Sequence, residues 1–528
     1  MASLLRASAG YLALALIFTY PLILAPHKAN RFDSPDAQLS AWILSWVLEQ
    51  FTNGRLDVFD ANIFFPEKNT LAYSENLITA AVLVFPLRWL SDNPILLLNA
   101  AFIVALALNG TAAFLLARQF WGSSPGAVMT GLIFAFASFH WAHLPHPQLQ
   151  LCFPLAAAFY FSRRIRQGSG AAASLGLALS VAASFGASGY YAVYLSTVLP
   201  LFILFDVPMG APEMRRKATF GVGLAAVLAF VLCLPLVMPY VSKMNLGYRR
   251  QLSVAADFSA DGLSYLTSLS RLHFFLPDRG EPLFAGFVAS GLAVFGIVGS
   301  FTRREKRHDV ALWIGVGLLG VLISMGPSLG LFSALYRVLP GYQGLRVPSR
   351  AGILFLLAVA MLAGLGYSYL RNRRLGALLL VLAAAECYAG PLYWSMEAPV
   401  LPPIYRSLAR LDEPGALVEL PLPPPEHFQQ NAGYVYRSIF HWRPLVNGYS
   451  GFVPESYERA HESLMKGDFL DGLVVWRSKG VRLLLAHRAR LGPRMRKQIA
   501  QAESIGLLEL IDERGPDVLY RIVEIGPP

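Results

Sequence analysis

ENLITAAVLVFPLRWL, residues 75–90, is the stretch on which the topology of this chain turns. Read alone it is ambiguous: a membrane crossing needs roughly 20 apolar residues, and here Leu77, Val82, Leu83, Phe85 and Leu87 fill a shorter window. The basic clusters elsewhere decide the matter. Arg163-Arg164-Ile165-Arg166, Arg215-Arg216-Lys217, Arg303-Arg304-Glu305-Lys306-Arg307 and Arg371-Asn372-Arg373-Arg374 each abut apolar runs, the placement expected of inside loops. Counting back from 163–166 through apolar runs at 147–163, 125–142 and 95–117 puts Asp92 outside. Arg6 puts the N-terminus inside, so Lys28 opens an outside segment. Residues 27–94 then begin and end on one face, and 75–90 cannot cross. It reads as a helix along the membrane surface, as does 37–51 with Leu39, Trp42, Ile43, Trp46 and Val47.

Working outward, further runs at 8–26, 170–187, 189–207, 218–240, 282–301, 309–327, 351–370 and 375–395 bring the expected crossings to about eleven. The first has no small-residue cleavage site before a hydrophilic chain and reads as an uncleaved helix. Of 528 residues, 55% are apolar and 15% charged, against about 25% charged in soluble proteins. The net charge of +11 lies largely in the loop clusters, so it speaks for topology and against a nucleic-acid partner. Cys152, Cys233 and Cys387 all fall in apolar runs and match neither a metal spacing nor a disulfide framework. The expected fold is an α-helical polytopic membrane protein, with a transmembrane domain over 1–395 and a water-exposed α/β domain over 396–528. In the latter, Ala416–Leu420, Val481–Leu485, Leu508–Ile511 and Val518–Ile522 read as strands, the last two joined by a turn at Arg514-Gly515-Pro516-Asp517. Helical patterns lie near 455–466 and 494–504.

The candidate chemistry lies in the outside loops 27–94, 140–147, 241–281 and 328–350. In the first, Asp33-Ser34-Pro35-Asp36 precedes the helix bearing Trp42 and Trp46. Two carboxylates there can bind a divalent cation through oxygen, one can act as a general base, and an Asp or Ser before an apolar run is also a helix-cap signal. In the second, His140, His143 and His146 precede Gln148. His140 and His143, three apart, share a helical face that suits a metal, while His146 and Gln148 suit the lining of a cleft. The last loop ends Arg346-Val347-Pro348-Ser349-Arg350 directly before a run. These arginines sit outside, against the charge rule, which points to an anionic partner; Arg offers forked donors and a permanent charge for phosphate. Snorkelling into headgroups is the plainer alternative. Tyr190, with its neighbour Tyr191, lies between two runs and suits an aromatic belt or a cleft wall. Glu281 with Arg279, and Glu386 inside the last run, complete the ionisable candidates.

On Asp36 before Trp42, Asn62-Ile63-Phe64-Phe65-Pro66, His146-Pro147-Gln148-Leu149, Leu345–Arg350 and His441–Phe452, the chain resembles the GT-C class of membrane glycosyltransferases. The likeness is to uncharacterised bacterial membrane proteins of that type. The resemblance implies transfer of a sugar from a polyprenyl-phosphate-linked donor to a saccharide, lipid or protein acceptor. It implies work on the outer face of what would be a bacterial inner membrane, with a cytoplasmic N-terminus and a periplasmic or extracellular C-terminal domain. It gives Asp36, or Asp33, the base or metal-binding role, and gives Arg346 and Arg350 the phosphate. His143, His146, Gln148, Tyr190 and Glu281 then line the cleft. Asp33 and Asp36 stand three apart rather than adjacent or in D-x-D, so no cofactor is fixed and a divalent cation stays open. A transporter or flippase for lipid or saccharide, and a non-catalytic membrane assembly factor, are the competing readings. Transporters place polar groups at mid-membrane, whereas here they gather at the outer boundary.

Overall fold

The computed structural model describes residues 2–524, so 525–528 at the end of the expected 396–528 domain, and Met1, lie outside the described residues. Packing divides the chain into two units. The first takes Met1–Pro26, Leu77–Ser91 and Leu96–Trp394; the second takes His27–Asn76, Asp92–Ile95 and Ser395–Pro528. Residues 27–76 of the expected first outside loop therefore group with the C-terminal quarter, where the sequence suggests one division at 395/396.

The first unit is helical. Among the described residues, seven helices have the length and composition of a crossing: Pro94–Trp121, Ser124–Ala142, Gly170–Ala187, Gly189–Met209, Pro212–Asn245, Lys306–Ser324 and Pro348–Ser368. The other four expected runs form shorter helices, each for a local reason. The run 147–163 splits into Pro147–Gln150 and the 14-residue Phe153–Arg166, with Pro154 in the first turn of the second. The run 8–26 is helical over Ala2–Phe18 and stops ahead of Pro21. The run 282–301 starts its helix only at Phe287, after Gly286 at φ +100°. The last, Arg373–Cys387, ends before Gly390-Pro391. Residues 75–90 form an 11-residue helix, Ile78–Arg88. At 1.5 Å per residue that is about 16 Å, roughly half a hydrocarbon core. Its Thr79 hydroxyl donates to the Ala183 carbonyl (2.8 Å) and Ala80, Ala81 and Val84 are buried, while Val82 and Leu90 are exposed.

Small residues set the closest helix approaches, as is usual where helices pack in lipid. A Cβ on Gly366 would stand 1.9 Å from the Leu292 carbonyl oxygen. The basic cluster at 163–166 does more than mark a face. Arg163 Nη2 meets Asp206 Oδ1 (2.9 Å) and Asp309 Oδ1 (2.7 Å), and Arg166 Nη1 meets the same Asp206 oxygen (2.6 Å). Asp206 is fully buried, and the Arg163 guanidinium also lies 3.7 Å over the Phe120 ring. Three helices are thus joined by an ion-pair network.

The second unit holds a four-stranded sheet in the order β1-β2-β4-β3. The strands are β1 (Ala416–Leu420), β2 (Val481–His487), β3 (Leu508–Arg514) and β4 (Asp517–Ile522), at the positions read from the sequence. β1 runs parallel to β2, and the other pairs are antiparallel. Ile404, Tyr405, Leu408, Leu417, Leu445 and Leu483 are among the side chains of its core. The helix Pro35–Thr52 belongs to this unit, and it is buried on nearly all sides instead of presenting an apolar face to lipid. The cause is polar pairing of its indoles: Trp42 Nε1–H donates to Asn62 Oδ1 (3.1 Å) and Trp46 Nε1–H to the Val58 carbonyl (2.8 Å), with Trp442 edge-to-face on Trp46 at 5.5 Å. Asn62 continues to Ser438 Oγ (3.2 Å) and the Arg443 carbonyl (3.1 Å).

Candidate functional site

Each unit carries part of the candidate chemistry. In the second unit, two sequence segments far apart become partners. The backbone N–H of Leu445 donates to the Asn62 carbonyl (2.8 Å), Phe65 N–H to Leu445 (2.9 Å), and Phe64 N–H to Asn447 (3.2 Å). Gly448 lies against the Phe64 ring, where a Cβ would stand 2.4 Å from ring carbons, so the close approach requires glycine. The Asn447 amide is tied to β1: it accepts from Glu419 N–H (2.8 Å) and donates to the Glu419 carbonyl (2.9 Å).

Two residues on, the Tyr449 hydroxyl donates to Asp36 Oδ1 at 2.6 Å. Asp36 is half-buried in the first turn of Pro35–Thr52, where the positive end of the helix dipole favours a carboxylate. Ser34 occupies the cap position, as the helix-start signal suggested, without a side-chain hydrogen bond. Asp33 goes elsewhere. It pairs with Arg31 (3.0 Å), is nearly half exposed, and the Arg31 hydrogen bond holds its carboxyl below the usual range. The two acids thus have different partners.

In the first unit, Tyr190 stands between the two arginines. Its hydroxyl oxygen accepts from the Arg346 backbone N–H (3.1 Å), and the Arg350 guanidinium lies 4.5 Å over its ring. Arg346 stacks on Phe258 (4.4 Å). Such stacking holds a guanidinium by its flat face. The loop before it is held by the Tyr194 hydroxyl, which donates to the Val347 carbonyl (3.2 Å). Arg250, half-buried, joins this neighbourhood: burial lowers its pKa, and the like charge of Arg346 adds to that. The sequence does carry a signal for Arg250: Arg249-Arg250 on an expected outside loop breaks the charge rule just as Arg346 and Arg350 do.

His143, Glu281 and Ser349 also come together. His143 Nδ1 faces the Phe139 carbonyl (2.8 Å), which puts the ring proton there and turns Nε2 to Glu281 Oε1 (3.2 Å). The Ser349 hydroxyl donates to Glu281 Oε2 (3.1 Å). Burial moves both groups towards their neutral forms, raising the Glu281 carboxyl against the pull of Ser349 and Arg350 and driving His143 well below its usual value. His146 packs edge-on to His143 at 5.9 Å, and Gln148 is buried in the short helix Pro147–Gln150.

Other candidates are structural. His140 uses one ring nitrogen on Gln150 Oε1 (3.0 Å) and the other on the Phe134 carbonyl (3.1 Å), so it does not share a metal with His143. Glu386 accepts from Phe287 and Val288 N–H (3.1 and 3.0 Å), capping the helix that starts there. Tyr191 donates to the Leu149 carbonyl (2.6 Å) and receives the Cys152 thiol (3.2 Å). Among the described residues, Asp206, His308 and Asp309 offer ligand atoms within 4.8 Å of one another, but Arg163 already bridges the two acids.

No family model and no curated protein matches the chain in sequence. In structure, its neighbours are GT-C glycosyltransferases. The arabinofuranosyltransferase AftD from Mycobacteria superposes over 99% of this chain with a TM-score of 0.63 at 13% identity. The chain spans about 40% of AftD's length. ArnT from Cupriavidus metallidurans, bound to undecaprenyl phosphate, matches over 98% of this chain and 99% of its own, with a TM-score of 0.47 and 13% identity. An oligosaccharyltransferase from Archaeoglobus fulgidus matches over 92% and 69%, with a TM-score of 0.46 and 11% identity. The AftD likeness establishes the fold, and with the long apolar helices it makes this an integral membrane protein.

Proposed function

We propose that the protein is a glycosyltransferase that moves a sugar from a polyprenyl-phosphate-linked donor to an acceptor on the outer face of the membrane. The observation that carries this is the stacking of Arg346 and Arg350 on aromatic rings about Tyr190, at the head of the long helix Pro348–Ser368. Cations held there suit a phosphate at the membrane boundary, with the isoprenoid chain left in lipid. The acceptor hydroxyl gives its proton to the Asp36 carboxylate, its oxygen bonds to the anomeric carbon, and the bond from that carbon to the phosphate oxygen breaks. Polyprenyl phosphate leaves, its charge met by the arginines. Asp33 and Asp36 take different partners, Arg31 and Tyr449, and the acceptor's proton is assigned to Asp36.

Donor binding tests the reading. Undecaprenyl phosphate is the probe, with binding to the purified protein followed by native mass spectrometry. Arg350→Ala or Arg346→Ala should weaken it by about 1.5–3 kcal/mol, the worth of a charged hydrogen bond, or about 10- to 100-fold. Lysine should restore only part, since it lacks the fork. Wild-type binding in both alanine variants would leave headgroup snorkelling as the better account of these arginines.

The proposed topology keeps the N-terminus inside, about eleven crossings, and the residues after Ser395 outside. In intact cells lacking the native cysteines, Arg304→Cys should resist an impermeant thiol reagent. Glu455→Cys, on an exposed helix start, should label freely. The reverse pattern would move the chemistry to the other face.

A further inference from the structure

We infer that Tyr449 is a positioning residue for Asp36: its hydroxyl sets the direction of the carboxylate that takes the acceptor's proton. This rests on the function proposed above. The contact joins residues 413 apart in sequence at 2.6 Å, within the short range of a hydrogen bond to an ionised oxygen.

Both partners are held by their own surroundings. On the tyrosine side, Asn447 is locked to the β1 backbone at Glu419 in both directions, Phe64 N–H grips the Asn447 carbonyl, and Gly448 fits under the Phe64 ring. After Tyr449, Gly451 N–H donates to the Tyr73 carbonyl (3.1 Å), and Phe428 meets the Tyr449 ring edge-to-face at 5.4 Å. The phenol therefore arrives from a segment fixed on either side of it. On the acid side, Asp36 stands in a helix whose entry is fixed by Gln38 Nε2 donating to the Phe32 carbonyl (3.0 Å) and by Phe32 packing on Tyr436 at 4.7 Å.

A carboxylate on a short side chain can rotate about its last bond at little cost. A base must meet its proton in line, and misdirection by even a small angle is costly in rate. The Tyr449 hydroxyl's donation to Oδ1 restrains that rotation without neutralising the charge. The contact would also serve simple cohesion between the first loop and the C-terminal segment, so the test must separate orientation from cohesion.

The test uses the full-length protein in its own host with the chromosomal copy deleted. The glycan that disappears on deletion is the readout, as its rate of return after induced expression, measured by mass spectrometry at matched membrane levels. Tyr449→Phe keeps the ring on Phe428 and removes only the hydroxyl. We expect return to slow roughly 10-fold, with the melting temperature and undecaprenyl phosphate binding of the purified variant unchanged. Asp36→Glu retains a carboxylate but displaces it from the phenol. In that background Tyr449→Phe should cost less than 2-fold, about the resolution of such a comparison, because the coupling is already lost.

Wild-type return in Tyr449→Phe, with Asp36→Asn inactive, overturns the positioning role and leaves the function standing. Equal losses from Tyr449→Phe in both backgrounds, or a loss that tracks a fall in melting temperature, assign Tyr449 to cohesion and also overturn it. If deletion removes no glycan, or Asp36→Asn restores it at the wild-type rate, the proposed function falls and this inference with it.

Discussion

Asp206→Ala is expected to destabilise the first unit by about 3–5 kcal/mol, the range for removing one partner of a buried ion pair. Asp206 Oδ1 receives both Arg163 and Arg166. Without it Arg163 keeps Asp309 (2.7 Å) and Arg166 keeps the Met209 carbonyl (2.9 Å), but two guanidiniums are left facing each other with one carboxylate between them. The cost is mainly that of the stranded charge. The measurement is the midpoint of thermal unfolding in detergent, followed by a thiol-reactive dye on the buried Cys152 and Cys387. Replacing the whole network, Asp206→Leu and Asp309→Leu with Arg163→Met and Arg166→Met, should recover much of the loss, since apolar replacement of buried ion pairs is often neutral. An unchanged midpoint in Asp206→Ala would mean that the network behaves as an exposed one.

Asp36→Asn is expected to lower transfer by about 10²-fold or more while leaving the fold intact, because general-base catalysis contributes on that order. The amide keeps an oxygen for the Tyr449 hydroxyl, so the 2.6 Å contact survives in weaker form and the midpoint of unfolding should move little. Asp33→Asn is the control. Its partner is Arg31 on an exposed surface, and such pairs are worth about 0–1 kcal/mol, so transfer should stay within about 2-fold of wild type, as for most surface changes. Both variants are scored by the return of the lost glycan. Full transfer in Asp36→Asn, with normal insertion, would remove this carboxylate from the mechanism and favour a transporter.

How far the sequence reaches can be seen residue by residue. The four strands were legible because short apolar runs between Gly, Pro and charged turns report a local environment. The parity argument places 75–90 off the crossing path, and the helix found there, Ile78–Arg88, is 11 residues long. Hydropathy alone did not show where helices stop: Pro154 and Gly286 interrupt apolar runs that a sliding window reads as continuous. Trp42 and Trp46 have the spacing of a surface helix, and only Asn62 and Val58 reveal that their indoles are turned into protein. The roles of Arg163 and Tyr449 were beyond reach for one reason. Periodicity tells which face of an element is buried, and is silent on which distant segment supplies the partner.

The pairing of Asn30 with Ser395 makes the timing of synthesis part of the folding problem. The helix carrying Trp42 and Trp46 leaves the ribosome early, while the segment from Ser438 to Asn447 that completes its surroundings comes roughly 400 residues later. At about 5–20 residues per second, Asp36 waits roughly 20–80 s for Tyr449 to be made. Throughout that interval two large indoles and the apolar side of their helix lack their final cover, so the nascent loop has to be shielded by the insertion machinery, a chaperone or the bilayer surface. Stop codons late in the reading frame should therefore be unusually harmful. A ribosome that fails after the last crossing releases a chain with its membrane helices in place and an early loop with nothing to fold against.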